Sequence, residues 1–251
     1  MTNFPSVLQT IIPISLEEME HVKLLDRIDT KYVIHEDQLK EYLEAIGSQY
    51  KLLVIDGKLV HPYETLYFDT PDFHLYYMHH SGMLNRYKLR CRKYVNSGIS
   101  YFEVKSKTNT RRTIKNRMQV DDIPETLNET LNQYITDHTP GVYHDYVPVL
   151  RVFFDRITLV NKLVNERLTF DINLRYNRNG REKKLLKLVI VEVKQEKHTV
   201  SPLRELMKMK RQSQDYLSKY CMGLTCLNKG LKKNHFKQKI NTLNKLGYDI
   251  H

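Results

Sequence analysis

Residues 84–120 read LNRYKLRCRKYVNSGISYFEVKSKTNTRRTIKNRMQV, and polar and apolar side chains alternate through three segments of this stretch. In the first, Arg86, Lys88, Arg90 and Arg92 share one face, and Tyr87, Leu89 and Cys91 share the other. In the second, Tyr101, Glu103, Lys105 and Lys107 oppose Phe102 and Val104; in the third, Arg111, Thr113, Lys115 and Arg117 oppose Ile114, Met118 and Val120. A period of two is the period of β-strands. Asn96-Ser97-Gly98 and the run KTNT at 107–110 are turn chemistry, so the stretch predicts a three-stranded antiparallel meander with one nearly all-cationic face.

A charged face opposite an apolar one is ordinarily the wet side of a sheet. Three consecutive strands of this kind are different, because they set Lys or Arg across from Lys or Arg. Like charges directly opposite one another destabilise a sheet, and protein surfaces normally mix the two signs. A strongly anionic ligand lying on the face accounts for the pattern.

Around this stretch the chain has 251 residues, 41% hydrophobic and 10% aromatic, which is globular composition. That length suits a single domain over residues 1–251, with a basic helical segment at about 203–245. A net charge of +11 points to an anionic partner: nucleic acid, a membrane surface or polyphosphate. No run of eighteen apolar residues predicts a transmembrane span. The first residues lack the pattern of a signal peptide. Cys91, Cys221 and Cys226 contain no CxxC pair and read as free thiols in a reducing, cytoplasmic compartment.

In chain order, Ser15-Leu16-Glu17-Glu18 is a capping box opening a short helix towards Leu24. Residues 27–35 alternate as a strand, with Arg27, Asp29 and Lys31 on one side. Leu39, Tyr42, Leu43 and Ile46 have helical spacing within 36–46, and Gly47 follows as a stop. Residues 64–69 form a second strand, and 124–138 a polar helix. Further strands are predicted at 149–160, 164–176 and 186–195. In the second of these, Arg167, Thr169, Asp171, Asn173 and Arg175 face away from Leu168, Phe170, Ile172 and Leu174; in the third, Glu192 and Lys194 share a face. Helices are expected at 203–220 and in the Lys-rich segment 229–245. The expected architecture is α+β: eight antiparallel strands closing into a barrel with a charged lumen, jacketed by helices.

Several segments, in order, resemble the VTC domain, the polyphosphate polymerase module of the vacuolar transporter chaperone family, within the triphosphate tunnel metalloenzyme (CYTH-like) superfamily. They are DRIDTKYVIH (26–35), TLYFDTPDFHLYY (65–77), KLRCRKY (88–94), FEVKSK (102–107), TIKNR (113–117), RVFFDRITL (151–159), VIVEVK (189–194) and LSKYCMG (217–223). The resemblance implies a tunnel of basic side chains and a carboxylate-held divalent metal, Mn²⁺ or Mg²⁺. It also implies transfer of the γ-phosphate of ATP onto a growing polyphosphate chain. By position it assigns Lys31, Arg90, Arg92, Lys105, Lys115, Arg156 and Lys219 to the reacting phosphates, Arg167 to the tunnel, and Glu192 to the metal.

The polar rows add Arg27, Lys88, Lys107, Arg117 and Lys194 as substrate contacts, and Glu103 and Asp171 as reserve metal ligands. The tunnel hydrolases carry ExExK on their first strand, where this chain has Arg27, Asp29 and Lys31. There is no Walker A loop, GxGxxG or HExxH, so nucleotide would bind through its phosphates. His79-His80 reads as a surface or turn pair, and Tyr76 and Tyr77 as packing under a helix. The basic segment 229–245 reads as a solvated face that could also meet an anionic surface. Two alternatives to a polymerase stay open: a tunnel-type triphosphate hydrolase, and a non-catalytic module binding polyphosphate, inositol phosphates or nucleic acid.

Overall fold

The structure is a computed structural model describing residues 4–20, 27–110, 112–140, 145–197, 199–215, 217–248 and 250; for Glu20 and Arg27 only the backbone is described. Arg111 and the predicted helix beyond Glu20 lie outside the described residues. From the N-terminus run α1 (Phe4–Leu8), β1 (Pro13–Ile14), α2 (Leu16–Glu20), β2 (Arg27–His35), α3 (Glu36–Ile46), β3 (Tyr50–Leu53), β4 (His61–Asp69) and α4 (His74–His80). The meander follows as β5 (Arg86–Tyr94), β6 (Ser100–Lys107) and β7 (Thr113–Val120), and then α5 (Glu129–His138). The long strands β8 (Val147–Asn161) and β9 (Glu166–Arg178) lead to β10 (Arg181–Leu185) and β11 (Leu188–Glu196). The chain ends in α6 (Pro202–Met209), α7 (Lys219–Leu227) and α8 (Lys237–Lys245).

The eleven strands form one sheet whose main path is β2-β11-β9-β8-β4-β5-β6-β7. The α+β class and the large antiparallel sheet are as expected, and the path itself counts eight strands. It is open, ending at β2 and β7, whereas the strand count suggested a closed barrel. Strand β7 carries Lys115 and Arg117 on an exposed edge, the kind of charge that discourages further pairing. Strands β1, β3 and β10 were not anticipated, being too short at two, four and five residues to show a period.

Contacts divide the chain into two compact units. Unit 1 comprises Met1–His61, Phe154–Leu174 and Leu185–Leu217. Its core joins Leu39, Tyr42, Leu43 and Ile46 of α3 to Leu168, Phe170 and Ile172 of β9 and to Val189, Val191 and Val193 of β11. Helix α3 begins where the sequence placed it, because Gln38 Oε1 accepts the His35 N–H at 3.0 Å and His35 Nδ1 accepts that of Asp37 at 3.3 Å. The Ser15 box is also present: Glu18 N donates to Ser15 Oγ at 3.1 Å, and Ser15 N to Glu18 Oε2 at 2.9 Å.

Unit 2 comprises Pro62–Phe153, Arg175–Lys184 and Ser218–His251. Leu66, Phe68, Leu89, Cys91, Phe102 and Val104 meet Leu131 and Ile135 of α5 in its core. Leu89, Cys91, Phe102 and Val104 are apolar positions of the meander, so the polar positions of β5 and β6 share the opposite face. Helix α5 starts at Glu129, five residues later than the predicted 124, because Asn128 Oδ1 accepts the Leu131 N–H at 2.9 Å and caps it there. His79 and His80 close α4 instead of lying in an exposed turn. His80 is buried and stacks on His235 at 4.5 Å between ring centroids. Tyr76 is buried as expected, its hydroxyl donating to the Lys232 carbonyl at 2.8 Å.

Candidate active site

In unit 2 the register of the meander fixes which cations meet. Lys88 on β5 pairs with Lys105 on β6, and Lys105 pairs with Lys115 on β7. One step along, Arg90 pairs with Glu103, and Glu103 with Arg117. Arg86 pairs with Lys107, and Arg92 lies between Thr65 and Tyr101. The cationic rows read from the sequence are therefore rows in space, including one of three directly opposed lysines.

Glu103 is the anion of this face, with its side chain only 1% exposed. Arg90 Nε approaches Glu103 Oε2 at 2.5 Å, and the Lys115 ammonium pairs with Oε1. Burial by itself raises a carboxyl pKa. Here Arg90, Arg92 and Lys115 overcome it and hold Glu103 down at about 2. Burial lowers the Lys115 pKa, partly offset by Glu103. Arg92 Nε donates to Thr65 Oγ1 at 3.3 Å, and the Arg117 guanidinium lies 4.7 Å from the Tyr101 ring centroid. Burial, and then Lys88, Arg86 and Lys105, lower the His79 pKa to about 2, so this imidazole stays uncharged beside the lysines at neutral pH.

The start of α7 reaches the same face. Lys88 Nζ donates to Ser218 Oγ at 3.0 Å and lies 5.9 Å from the Tyr220 ring centroid. The Tyr220 hydroxyl donates to the buried Asp69, which also accepts the N–H groups of Leu75 at 2.8 Å and Tyr76 at 2.9 Å. Lys219 is the first residue of α7, between these two contacts. Sequence reasoning singled out Lys219 and passed over Ser218, Tyr220 and Asp69. All three stand inside the segments LSKYCMG and TLYFDTPDFHLYY, but a buried carboxylate carries no period to mark it.

In unit 1, Glu192 on β11 pairs with Lys31 on β2 and with Thr169 on β9. Its carboxylate lies 3.7 Å from Lys31 Nζ and 3.3 Å from Lys194 Nζ. Lys194 pairs with Asp29 and Arg167 in register, and burial lowers its pKa against the pull of Glu192. Arg167 also touches Met19 Sδ at 4.0 Å. Arg156 holds Asp171 bidentately, at 2.6 Å and 2.9 Å, with the Asp171 side chain only 2% exposed. The backbone of Arg27 pairs with Glu196.

The three carboxylates considered for a metal thus have different surroundings. Glu103 sits in unit 2, closed over by two cations, and Asp171 has a guanidinium on both oxygens. Glu192 is 16% exposed between the ammonium groups of Lys31 and Lys194. Among the described residues, no group of three or more His, Cys, Asp or Glu side chains could hold a metal ion. Mg²⁺ or Mn²⁺ binds commonly through one or two carboxylates with substrate phosphates and water, so Glu192 fits that reduced requirement.

No curated protein sequence matches the chain. Among solved structures, one from Bacillus halodurans described as an adenylate cyclase candidate is 14% identical. The alignment covers 77% of this chain and 94% of that one, with a TM-score of 0.50. A second, from Hippeastrum, is described as an adenylyl cyclase candidate with a dominant triphosphatase activity. It is 15% identical over 78% of this chain and 94% of that one, at a TM-score of 0.46. The first likeness speaks for the fold alone. The VTC domain family profile matches residues 26–228. The chain belongs to the VTC domain family.

Proposed function

We propose that the protein is a polyphosphate polymerase: it moves the γ-phosphoryl of ATP onto the terminal phosphate of a polyphosphate chain, leaving ADP and a chain one unit longer. The observation that carries this reading is the row Lys88–Lys105–Lys115, three lysines directly opposed on adjacent strands. Like charges set this close repel one another, with Glu103 offsetting part of the repulsion at Lys115, and a phosphate chain lying along the row would neutralise them.

Phosphoryl transfer is mainly a matter of position and electrostatics. Arg90, Arg92, Lys105 and Lys115 stand fixed on strands, so they meet developing charge without reorganising. Glu103 pairs with Arg90 and Lys115 and favours the charged form of each. Lys88, set by Ser218, and Lys219 extend the basic surface. Arg86, Lys107 and Arg117 border it.

Within unit 1, taken by itself, Lys31, Lys194, Arg156 and Arg167 are proposed phosphate-binding side chains, and Glu192 is the proposed metal ligand. A bound Mg²⁺ or Mn²⁺ would supply charge neutralisation on phosphate oxygens. Lys31 and Lys194 flank the Glu192 carboxylate, and Asp171 holds the Arg156 guanidinium through both its oxygens.

A hydrolase needs a base to orient water. Glu103 and Asp171 are engaged by cations, which leaves them poorly suited to that task. A terminal phosphate oxygen is already anionic and needs only cations to align it. The test is incubation of the full chain with γ-labelled ATP and Mn²⁺, with and without a short polyphosphate primer. Acid-insoluble label with equivalent ADP is expected. Label released only as free phosphate would replace the polymerase with a triphosphatase.

A further inference from the structure

Strand β2 has a second face. Lys31 pairs with Glu192 on one side, and the next residue, Tyr32, lines a cavity of about 470 Å³ in unit 1 on the other. Arg204 and Lys208 of α6 line this cavity with Arg211 and Ser213, against a single lining carboxylate, Glu205. Arg204 is steadied at both ends: Gln195 Oε1 accepts from its guanidinium and Ser201 Oγ from its N–H, each at 3.2 Å.

The backbone gives a second, independent indication. At the end of α6 the Gln212 N–H donates to the Met207 carbonyl at 2.8 Å and the Arg211 N–H to that of Lys208 at 3.0 Å. This pair of bonds places Arg211 in the left-handed region at φ 54°, the position that such helix ends usually give to glycine. A side chain retained at the cost of backbone strain points to a use for it, and this one lines the cavity. The wall is also fastened to β2. Gln212 Nε2 donates to the Val33 carbonyl at 2.7 Å, and the Asp215 N–H to the Lys31 carbonyl at 2.8 Å.

The geometry points to a second phosphate-anion site on the reverse of β2, with Arg204, Lys208 and Arg211 as its binding side chains. Its ligand is a short inorganic phosphate oligomer, either free pyrophosphate or the end of a polyphosphate chain. Guanidinium groups match phosphate oxygens two at a time, and the cavity is large enough for several phosphate units. The assignment stands whether or not the protein is a polymerase. Because the 211–215 segment is tied to the Lys31 and Val33 carbonyls, an occupant steadies the strand that carries Lys31.

The protein contains no tryptophan, so one indole placed at the cavity reports on it alone. Val200 lines the cavity and is 65% exposed, which suits it to the purpose. The full chain carrying Val200→Trp is titrated with pyrophosphate, with long-chain polyphosphate, and with sulfate at matched ionic strength. A saturable fluorescence change with a phosphate oligomer is expected. Adding Lys208→Gln and Arg211→Gly should weaken it by at least about tenfold, since each lost charge-assisted bond carries about that factor. The glycine relieves the strained φ, so thermal stability should hold or rise and loss of binding cannot be ascribed to unfolding. Saturation by pyrophosphate identifies a free small anion; saturation by polyphosphate alone identifies a chain end. No saturable change with either, an unaltered midpoint in the triple variant, or an equal response to sulfate overturns the assignment.

Discussion

Glu103 and Glu192 are both carboxylates among lysines and arginines, yet the first is 1% exposed and the second 16%. The Glu103 carboxyl is held from 4.5 down to about 2, despite burial, by Arg90, Arg92 and Lys115. A lowered folded-state pKa means stability that is fully present above the unfolded value and lost as pH falls through the folded one. A shift of this size corresponds to roughly 3 kcal/mol. Glu103→Gln should therefore cost roughly 3 kcal/mol at pH 7, because it strands buried cations. The gap between the two proteins should shrink from about pH 5 downwards and nearly close near pH 2. Denaturant titrations at pH 7 and pH 3 measure it. Glu192 is the more exposed of the two, so Glu192→Gln should leave the fold and tripolyphosphate binding intact while abolishing turnover. Calorimetry with tripolyphosphate beside a turnover assay at limiting Mn²⁺ separates the two. Normal turnover in the variant would remove Glu192 from the metal role.

Among the elements, α7 shows how closely unit 2 is packed. A Cβ on Gly223 would lie 2.6 Å from Leu150 Cδ2 and 2.6 Å from Tyr176 Cδ1. Alanine is the better helix former, but here the overlap should dominate. Gly223→Ala should cost about 1–3 kcal/mol, read as a lower Tm and a weaker hold of Ser218 on Lys88. The strands were legible because period two survives wherever one face is buried: β2 and the three meander strands match their predicted extents closely. The candidate site was legible for the same reason, since its cations lie on the opposite faces of those strands. The helices at the C-terminus were not. A single helix over 203–220 was expected, but Arg211 adopts φ 54° and ends α6, and Ser218 then caps α7 through the Cys221 N–H at 3.4 Å. Nothing in the side-chain pattern marks an arginine that takes a glycine's conformation. In the Lys-rich stretch only Lys237–Lys245 is α-helical, anchored by Ile240 and Leu243.

For the whole molecule, 40 Lys and Arg against 29 Asp and Glu leave the chain cationic, and the meander concentrates that excess on one face. No helix among the described residues is long and apolar enough to cross a membrane. On the proposed function, the Lys88–Lys105–Lys115 row is strained by its own charge until phosphate lies on it. Directly opposed like charges destabilise a sheet, and a ligand at a hundred times its Kd adds about 2.7 kcal/mol. The measurement is the Tm of the wild-type and Lys105→Gln proteins, each with and without saturating tripolyphosphate. Wild type should gain about 5–10 °C with the ligand. Lys105→Gln should melt higher than wild type when empty and recover less than half of that gain. A variant that melts lower when empty and gains as much as wild type would show that Lys105 faces only solvent and that no phosphate lies along the row.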